Sequence, residues 1–310
     1  MRVLVTGASG FVGSNLIPSL VESGHDVRAM VRDPETYEPP SEVDDEIEVV
    51  EGDLLEPETL EGNFDGVDAS YYLVHSLKAG EEFAERDKKI ARNFTHEAES
   101  AGVDRVIYLG ALAEVKRGLS EHLSSRREVE EVLEDADYAL TTLRAAIIVG
   151  DGSASFAIIR QLVEKLPVMV TPKWLLTPCQ PIGIDDTVGF LVGVLEETQT
   201  EGESYDIGGP DVFTYAEVLK KTARLTGKRL TPLILPVPVL SPSLSSYWVG
   251  YVTDVPKSVA YPLILGLKSP VVAREQRILE HVDVNRTPID VAIQRAVLPL
   301  DEDKDEEEAE

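Results

Sequence analysis

Residues 3–13 read Val3-Leu4-Val5-Thr6-Gly7-Ala8-Ser9-Gly10-Phe11-Val12-Gly13, and an amphipathic stretch follows to Glu22, closed by Gly24. A short β-rich run, a glycine turn and a helical period in immediate succession predict strand, turn and helix. The missing Cβ at Gly7 and Gly10 permits a tight turn and brings backbone N–H groups close to a bound anion, while Gly13 lets the helix pack closely on the strand. The positive end of the helix dipole then faces that anion. Glycines at this spacing between a strand and a helix are the fingerprint of a pyrophosphate-binding turn, which makes Gly7, Ser9, Gly10, Phe11, Val12 and Gly13 candidates for holding a dinucleotide.

The same alternation continues outward. Val27 to Val31, Glu46 to Val50 and Ala69 to Val74 read as strands. A charged helix from Glu81 to Ser100 leads to a strand at Arg105 to Leu109, and a helix over Ser120 to Glu134 leads to a strand at Ala139 to Arg144. Strands separated by helices pair in parallel, so the expected fold is α/β, a doubly wound Rossmann sheet. After Gly150 the pattern loosens: helices are expected at Phe156 to Lys165, Asp185 to Glu197 and Tyr215 to Thr226, with extended runs at Val168 to Thr171 and Glu203 to Ile207. The expected organisation is a dinucleotide domain over 1–150, its sheet completed by later segments, a smaller substrate lobe over 151–300, and a disordered acidic tail over 301–310. Ligands of open parallel sheets bind at the carboxyl ends of the strands, where that lobe closes.

The second strand ends Val31-Arg32-Asp33-Pro34. An acid near this point holds the ribose 2′-hydroxyl of NAD, whereas an arginine accommodates the 2′-phosphate of NADP. Arg32 after an apolar residue favours NADP. Asp33 serves a diol instead, or caps a turn before Pro34.

The glycine pattern, with Gly52-Asp53-Leu54 after the third strand, resembles the extended and atypical short-chain dehydrogenase/reductase superfamily, in particular its NAD-dependent epimerase/dehydratase-like and NmrA-like branches. The likeness extends to Tyr71-Tyr72-Leu73-Val74-His75-Ser76, Tyr108-Leu109-Gly110-Ala111-Leu112, Ser120-Glu121-His122-Leu123-Ser124-Ser125-Arg126, Pro167-Val168-Met169-Val170-Thr171-Pro172 and Tyr205-Asp206-Ile207-Gly208-Gly209-Pro210. The resemblance implies an adenine contact for Asp53, beside Leu54, and a cofactor lining of Val74, His75 and Gly110. It also implies hydride transfer by an oxidoreductase or epimerase.

The departures bear on the chemistry. Where the superfamily places Ser or Thr after the fifth strand, the chain has Gly110-Ala111, and where it places Tyr-x-x-x-Lys, the chain has His122-x-x-x-Arg126. A spacing of four sets His122 and Arg126 on one helical face. A neutral imidazole relays protons near neutral pH, and a neighbouring guanidinium favours the neutral form. Arg126 is a fixed cation suited to a ribose hydroxyl. Both are the catalytic candidates, with polar residues on a solvated helix as the plain alternative. Ser76, Arg144 and Phe156 are candidates for the substrate pocket, with an ion pair as the alternative for Arg144 and core packing for Phe156. The competing function is a dinucleotide-binding regulator without turnover, or an accessory subunit resembling the nucleotide-binding subunit of respiratory complex I.

Composition narrows the partners. Against 29 Lys+Arg stand 56 Asp+Glu, a formal charge of −27, which repels nucleic-acid phosphates and anionic membranes alike. The carboxylates are spread along the chain, as in a surface adapted to a salt-rich cytosol, where the Debye length is about 3 Å near 1 M. The one cysteine, Cys179, excludes an internal disulfide and a cysteine-based metal site, and a strand beginning at Arg2 leaves no room for a signal peptide. The apolar stretch Leu233 to Val255 contains Pro236, Pro238 and Pro242, which suits a core or pocket wall better than a membrane span. The expected setting is cytoplasmic, with a small-molecule substrate, no bound metal and a homodimer or respiratory complex as possible assemblies.

Overall fold

A computed structural model describes residues 1–75, 83–112, 121–166, 168–226, 233–237, 253–256 and 269–297, without the side chains of 83, 121–124, 168–174 and 233–237. Its frame is a seven-stranded parallel sheet formed by β1 (Arg2–Thr6), β2 (Asp26–Val31), β3 (Glu48–Glu51), β4 (Ala69–Tyr72), β5 (Arg105–Ala111), β6 (Ala139–Ala145) and β11 (Ser204–Ile207). The strand order is β3-β2-β1-β4-β5-β6-β11, so the winding reverses between β1 and β4. That reversal opens the crevice at the carboxyl ends of the two strands.

Alternate side chains of each strand enter opposite layers. Val3, Val5, Ala29, Tyr71, Ile107 and Leu143 pack beneath α1 (Phe11–Glu22) and α5 (Ile184–Glu196), which supplies Phe190, Leu191 and Val194. Leu4, Met30, Tyr72, Val106 and Tyr108 face α2 (Phe83–Ala101) and α3 (Glu121–Glu134). On this second face the rings of Tyr72, Phe94 and Tyr108 meet edge to face at 5.0 and 5.8 Å. The Tyr71 hydroxyl donates to the Leu191 carbonyl at 2.8 Å, tying the sheet centre to α5.

The remaining elements build a second core. Strand β7 (Ile148–Val149) pairs with β10 (Ile182–Gly183), β8 (Val168–Pro172) with β13 (Leu233–Val237), and β9 (Pro178–Cys179) with β12 (Phe213–Thr214). Helices α4 (Ala154–Lys165), α6 (Tyr215–Leu225) and α7 (Ile289–Val297) enclose Phe156, Val163, Leu219 and Ile293 there. Ser153 starts α4 by accepting the Phe156 N–H, and a capping box of Thr214 and Glu217 starts α6.

Two elements from beyond Gly150 thus belong to the sheet unit: β11 extends the sheet beside β6, and α5 covers α1. Strand β4 ends at Tyr72, two residues before the expected Val74. Of Leu233 to Val255, the described part is β13 and residues 253–255, with Val255 buried, and the tail over 301–310 lies outside the described residues. Among the described residues no helix is long and apolar enough to cross a membrane, and no group of His, Cys, Asp and Glu is arranged to hold a metal ion.

Candidate functional site

The crevice at the β1–β4 reversal begins with the glycine turn. Gly7 has φ +74°, and a Cβ there would lie 3.1 Å from the Leu73 carbonyl carbon and oxygen, at the end of β4. A Cβ on Gly13 would strike the Gly7 carbonyl oxygen and stand 2.9 Å from the Ala8 Cα. The Gly10 N–H donates to the Gly7 carbonyl at 2.9 Å, closing the turn. Gly10 caps α1 without a side-chain hydrogen bond, and the first turn of α1 carries no acid. Ser9 and Gly10 are exposed. The helix therefore offers its first N–H groups and its positive end to the crevice with no internal anion in the way, a cradle that a pyrophosphate fits.

Phe11 and Val12, half-buried, follow the turn. The Phe11 ring lies against the loop after β7: a Cβ on Gly150 would be 2.8 Å from Phe11 Cζ, and one on Gly152, at φ +86°, 3.3 Å from Cδ2. Gly150 and Gly152 were not singled out in the sequence, although both stand next to Asp151 where the helical and strand periods break off, a signal for a turn under close approach.

Arg32, at the end of β2, is exposed and makes no hydrogen bond or ion pair among the described residues. Asp33 accepts the Glu35 N–H through Oδ1 at 3.0 Å, the turn-capping alternative of the sequence reading. Asp53 Oδ1 likewise accepts the Leu55 N–H at 2.9 Å, and its own N–H donates to Thr59 Oγ1 at 2.8 Å. Leu54 is buried, and its carbonyl accepts from Asn93 Nδ2 of α2 at 2.6 Å, so α2 fixes the floor on which Asp53 stands. Val74 is half-buried and His75 exposed just beyond β4, and Ser76 lies outside the described residues.

Gly110 and Arg144 are register partners on β5 and β6. A Cβ on Gly110 would come within 3.1 Å of Tyr108 Cε1. The Tyr108 hydroxyl donates to the Arg126 carbonyl on α3 at 3.2 Å. Burial raises the Tyr108 pKa, against the lowering effect of the Arg126 charge, and burial holds Tyr72 well above its ordinary value. Both phenols stay neutral inside the core and leave proton relay to other groups.

Arg126 is half-buried, and its Nε is enclosed without a hydrogen-bond partner among the described residues. The next turn toward the start of α3 carries His122, four residues away, whose side chain lies outside the described residues. Ser125 between them donates from Oγ to Asp87 Oδ2 of α2 at 3.1 Å, and Asp87 is almost fully buried. Asp87 gave no signal in the sequence, because a lone acid on a charged helix reads as solvated surface.

Arg144 is engaged by carboxylates. Its guanidinium grips Glu130 of α3 with Nε at 3.1 and 3.3 Å from the two oxygens and Nη2 also on Oε1, and Nη1 lies 3.9 Å from Asp206 Oδ1 of β11. Burial works against the Arg144 charge, but the hydrogen bond and charge of Glu130, with Asp206 behind, outweigh it and leave the pKa raised. Phe156 is 2% exposed and packs within the second core. For these two, the plain alternatives of the sequence reading describe the surroundings. Gln180 donates from Nε2 to the Gly209 carbonyl at 2.7 Å and accepts the Ala273 N–H at 3.0 Å, binding loops together.

Comparison with known proteins fits this geometry. The family described as NAD(P)H-binding matches residues 7–161, half of the chain and the whole stretch from the glycine turn into α4. The chain belongs to that NAD(P)H-binding family. It is 29% identical over 240 residues to the ceramide reductase of Caulobacter vibrioides, covering 76% of this chain and 74% of the reductase. In fold it matches a nucleoside-diphosphate-sugar epimerase from Staphylococcus aureus with a TM-score of 0.75 at 14% identity, over 95% of this chain and 100% of the epimerase. It is also 25% identical to the mitochondrial NADH dehydrogenase (ubiquinone) 1 alpha subcomplex subunit 9 of Arabidopsis thaliana, over 69% of this chain and 55% of that subunit. The NAD(P)-binding Rossmann fold expected from the sequence is thus what the family and the structure show.

Proposed function

We propose that this NAD(P)H-binding protein is a reductase that uses NADPH on the carbonyl group of a small, moderately apolar molecule, working in a cytoplasm rich in salt. The half-buried Arg126 on α3, whose enclosed Nε has no hydrogen-bond partner among the described residues and whose carbonyl receives the Tyr108 hydroxyl of β5, carries the reading. An enclosed N–H with no acceptor costs free energy, and an oxygen of a bound ligand would recover it. When bound, the nicotinamide supplies the hydride. The chain's own part is to hold the pyrophosphate on the Gly7–Gly13 turn, the 2′-phosphate on Arg32, the adenine on Asp53, and the nicotinamide ribose on Arg126. His122 relays a proton from solvent water to the oxygen that the hydride reduces. The similarity to a ceramide reductase supports an apolar substrate with a carbonyl.

Titration of NADPH and NADH into the protein in molar KCl, followed by nicotinamide fluorescence, tests the cofactor half. Arg32→Ala is expected to raise the NADPH Kd about tenfold while sparing NADH, since a charge-assisted contact is lost with only one of them. A screen of carbonyl and quinone compounds tests turnover. His122→Phe is expected to abolish it with NADPH affinity nearly unchanged, and unaltered turnover would sink the proton-donor role.

A second reading is favoured by Gly110-Ala111 and His122, which stand where the superfamily carries Ser or Thr and Tyr. On this reading the protein holds its dinucleotide as a regulator or accessory subunit. Tight binding with no oxidation of NADPH across the whole panel would favour it.

A further inference from the structure

We infer that Arg144 is a positioning residue that keeps Arg126 available to the cofactor by occupying Glu130. This rests on the proposed contact of Arg126 with the nicotinamide ribose. Arg126 and Glu130 stand four apart on α3, the spacing at which a cation and an acid on a helix meet. Glu130 is 7% exposed and Arg126 is half-buried, so solvent does little to separate them. Left to the helix alone, the carboxylate would close on the guanidinium. Instead Glu130 receives Arg144 across both oxygens, and Arg126 keeps an enclosed Nε without a partner among the described residues.

The sheet makes this division possible. Arg144 points to the face shared with Tyr108 and α3, and its register partner is Gly110, so no side chain from β5 stands between the guanidinium and α3. A second carboxylate, Asp206, backs Arg144 from β11 and is itself held, with Oδ2 accepting the Arg274 N–H at 3.0 Å and its own N–H donated to Glu275 at 2.9 Å. Arg144 therefore acts on the ligand site only through Glu130.

The test uses the full-length protein in molar KCl and reads the NADPH Kd by fluorescence, with circular dichroism to verify folding. Arg144→Met frees Glu130 and is expected to weaken NADPH binding about tenfold, the loss of a hydrogen bond from a charged donor. Adding Glu130→Gln to that variant removes the competing carboxylate and is expected to restore the affinity to within about threefold. A residue that merely supports the fold gives no such rescue. An unchanged Kd in Arg144→Met, or a double variant as weak as the single one, overturns the inference. Should the single variant not fold, the double variant lacks the lone buried carboxylate and is compared with wild type directly: near-equal affinity supports the inference, and a tenfold loss overturns it. Arg126→Met separates the layers. If it leaves NADPH affinity unchanged, the placement of Arg126 at the cofactor fails and this inference with it; if it weakens binding while Arg144→Met does not, only the inference fails.

Discussion

At Gly13 one missing methyl group decides whether a pyrophosphate has a seat. A Cβ there meets the Gly7 carbonyl and the Ala8 backbone, neither of which can retreat without opening the turn. Gly13→Ala is therefore expected to raise the NADPH Kd at least about tenfold and to destabilise by about 1–3 kcal/mol, as overpacking does. Gly24→Ala is the control: its φ of +80° brings strain, but nothing lies within 4 Å, so stability falls by about 1 kcal/mol and the Kd stays put. His25 tells a different story at the foot of α1. Its two ring nitrogens are buried without hydrogen bonds among the described residues, and burial lowers its pKa although Glu196 stands 3.8 Å away and works the other way. A folded pKa below the unfolded 6.5 means that the unfolded chain binds the extra proton, so this residue's stability is present above that pH and is lost as pH falls through the folded value. The expected slope from this residue is at most about 1.4 kcal/mol per pH unit, and His25→Gln should flatten that part of the curve in urea titrations between pH 7 and 5. A slope unchanged in the variant would show that other groups set the acid limb.

Between elements, long-range side chains do the fastening. Arg105 at the start of β5 reaches across to the end of α5, donating to the Leu195 and Glu197 carbonyls at 3.2 and 3.1 Å and to Thr200 Oγ1 at 2.7 Å, with Glu201 also at 3.2 Å. Arg105→Met strands those acceptors and is expected to cost about 2–4 kcal/mol in urea unfolding, with α5 losing amide-exchange protection first. This fastening also marks what was legible in the sequence and what was not. The glycine turn, β1, α1 and the alternation to β6 were legible because each follows from spacing within some twenty residues. The reversal of strand order followed from the fold class the alternation implied. That a later segment completes the sheet was expected, but the docking of α5 on α1 and the choice of β6 as the neighbour of β11 were not, since apolar periods say that a face is buried and not against which neighbour. Arg144 is the instructive case at the site. Its partners lie 14 residues back on α3 and 62 residues ahead on β11, 206 less 144, so nothing local distinguishes a clamp for substrate from an ion pair. The buried Cys179 belongs to the same fastening. Burial pushes its thiol up to about 12, and it should resist Ellman's reagent in the native protein at pH 8 while reacting fully in denaturant.

Over the whole molecule, 56 acidic against 29 basic side chains set a repulsion that no single ion pair offsets. Many of the pairs that do form are exposed, among them Arg2–Asp26, Arg127–Glu131 and Arg277–Glu203, and exposed pairs contribute at most about 1 kcal/mol each while losing strength as salt rises. Two effects of salt therefore oppose each other: screening weakens these pairs, and it also relieves the excess negative charge. With −27 unbalanced, the second effect wins, since repulsion acts between every pair of excess carboxylates and attraction only between a few neighbours. The thermal midpoint is expected to climb as KCl rises from 0.1 M and to level off near 1 M, where the Debye length of about 3 Å no longer spans the gap between neighbouring surface charges. NaCl and tetramethylammonium chloride at equal concentration should give the same curve if screening is the cause. A midpoint that is flat in salt would end the reading of the acid excess as adaptation to a salt-rich cytoplasm.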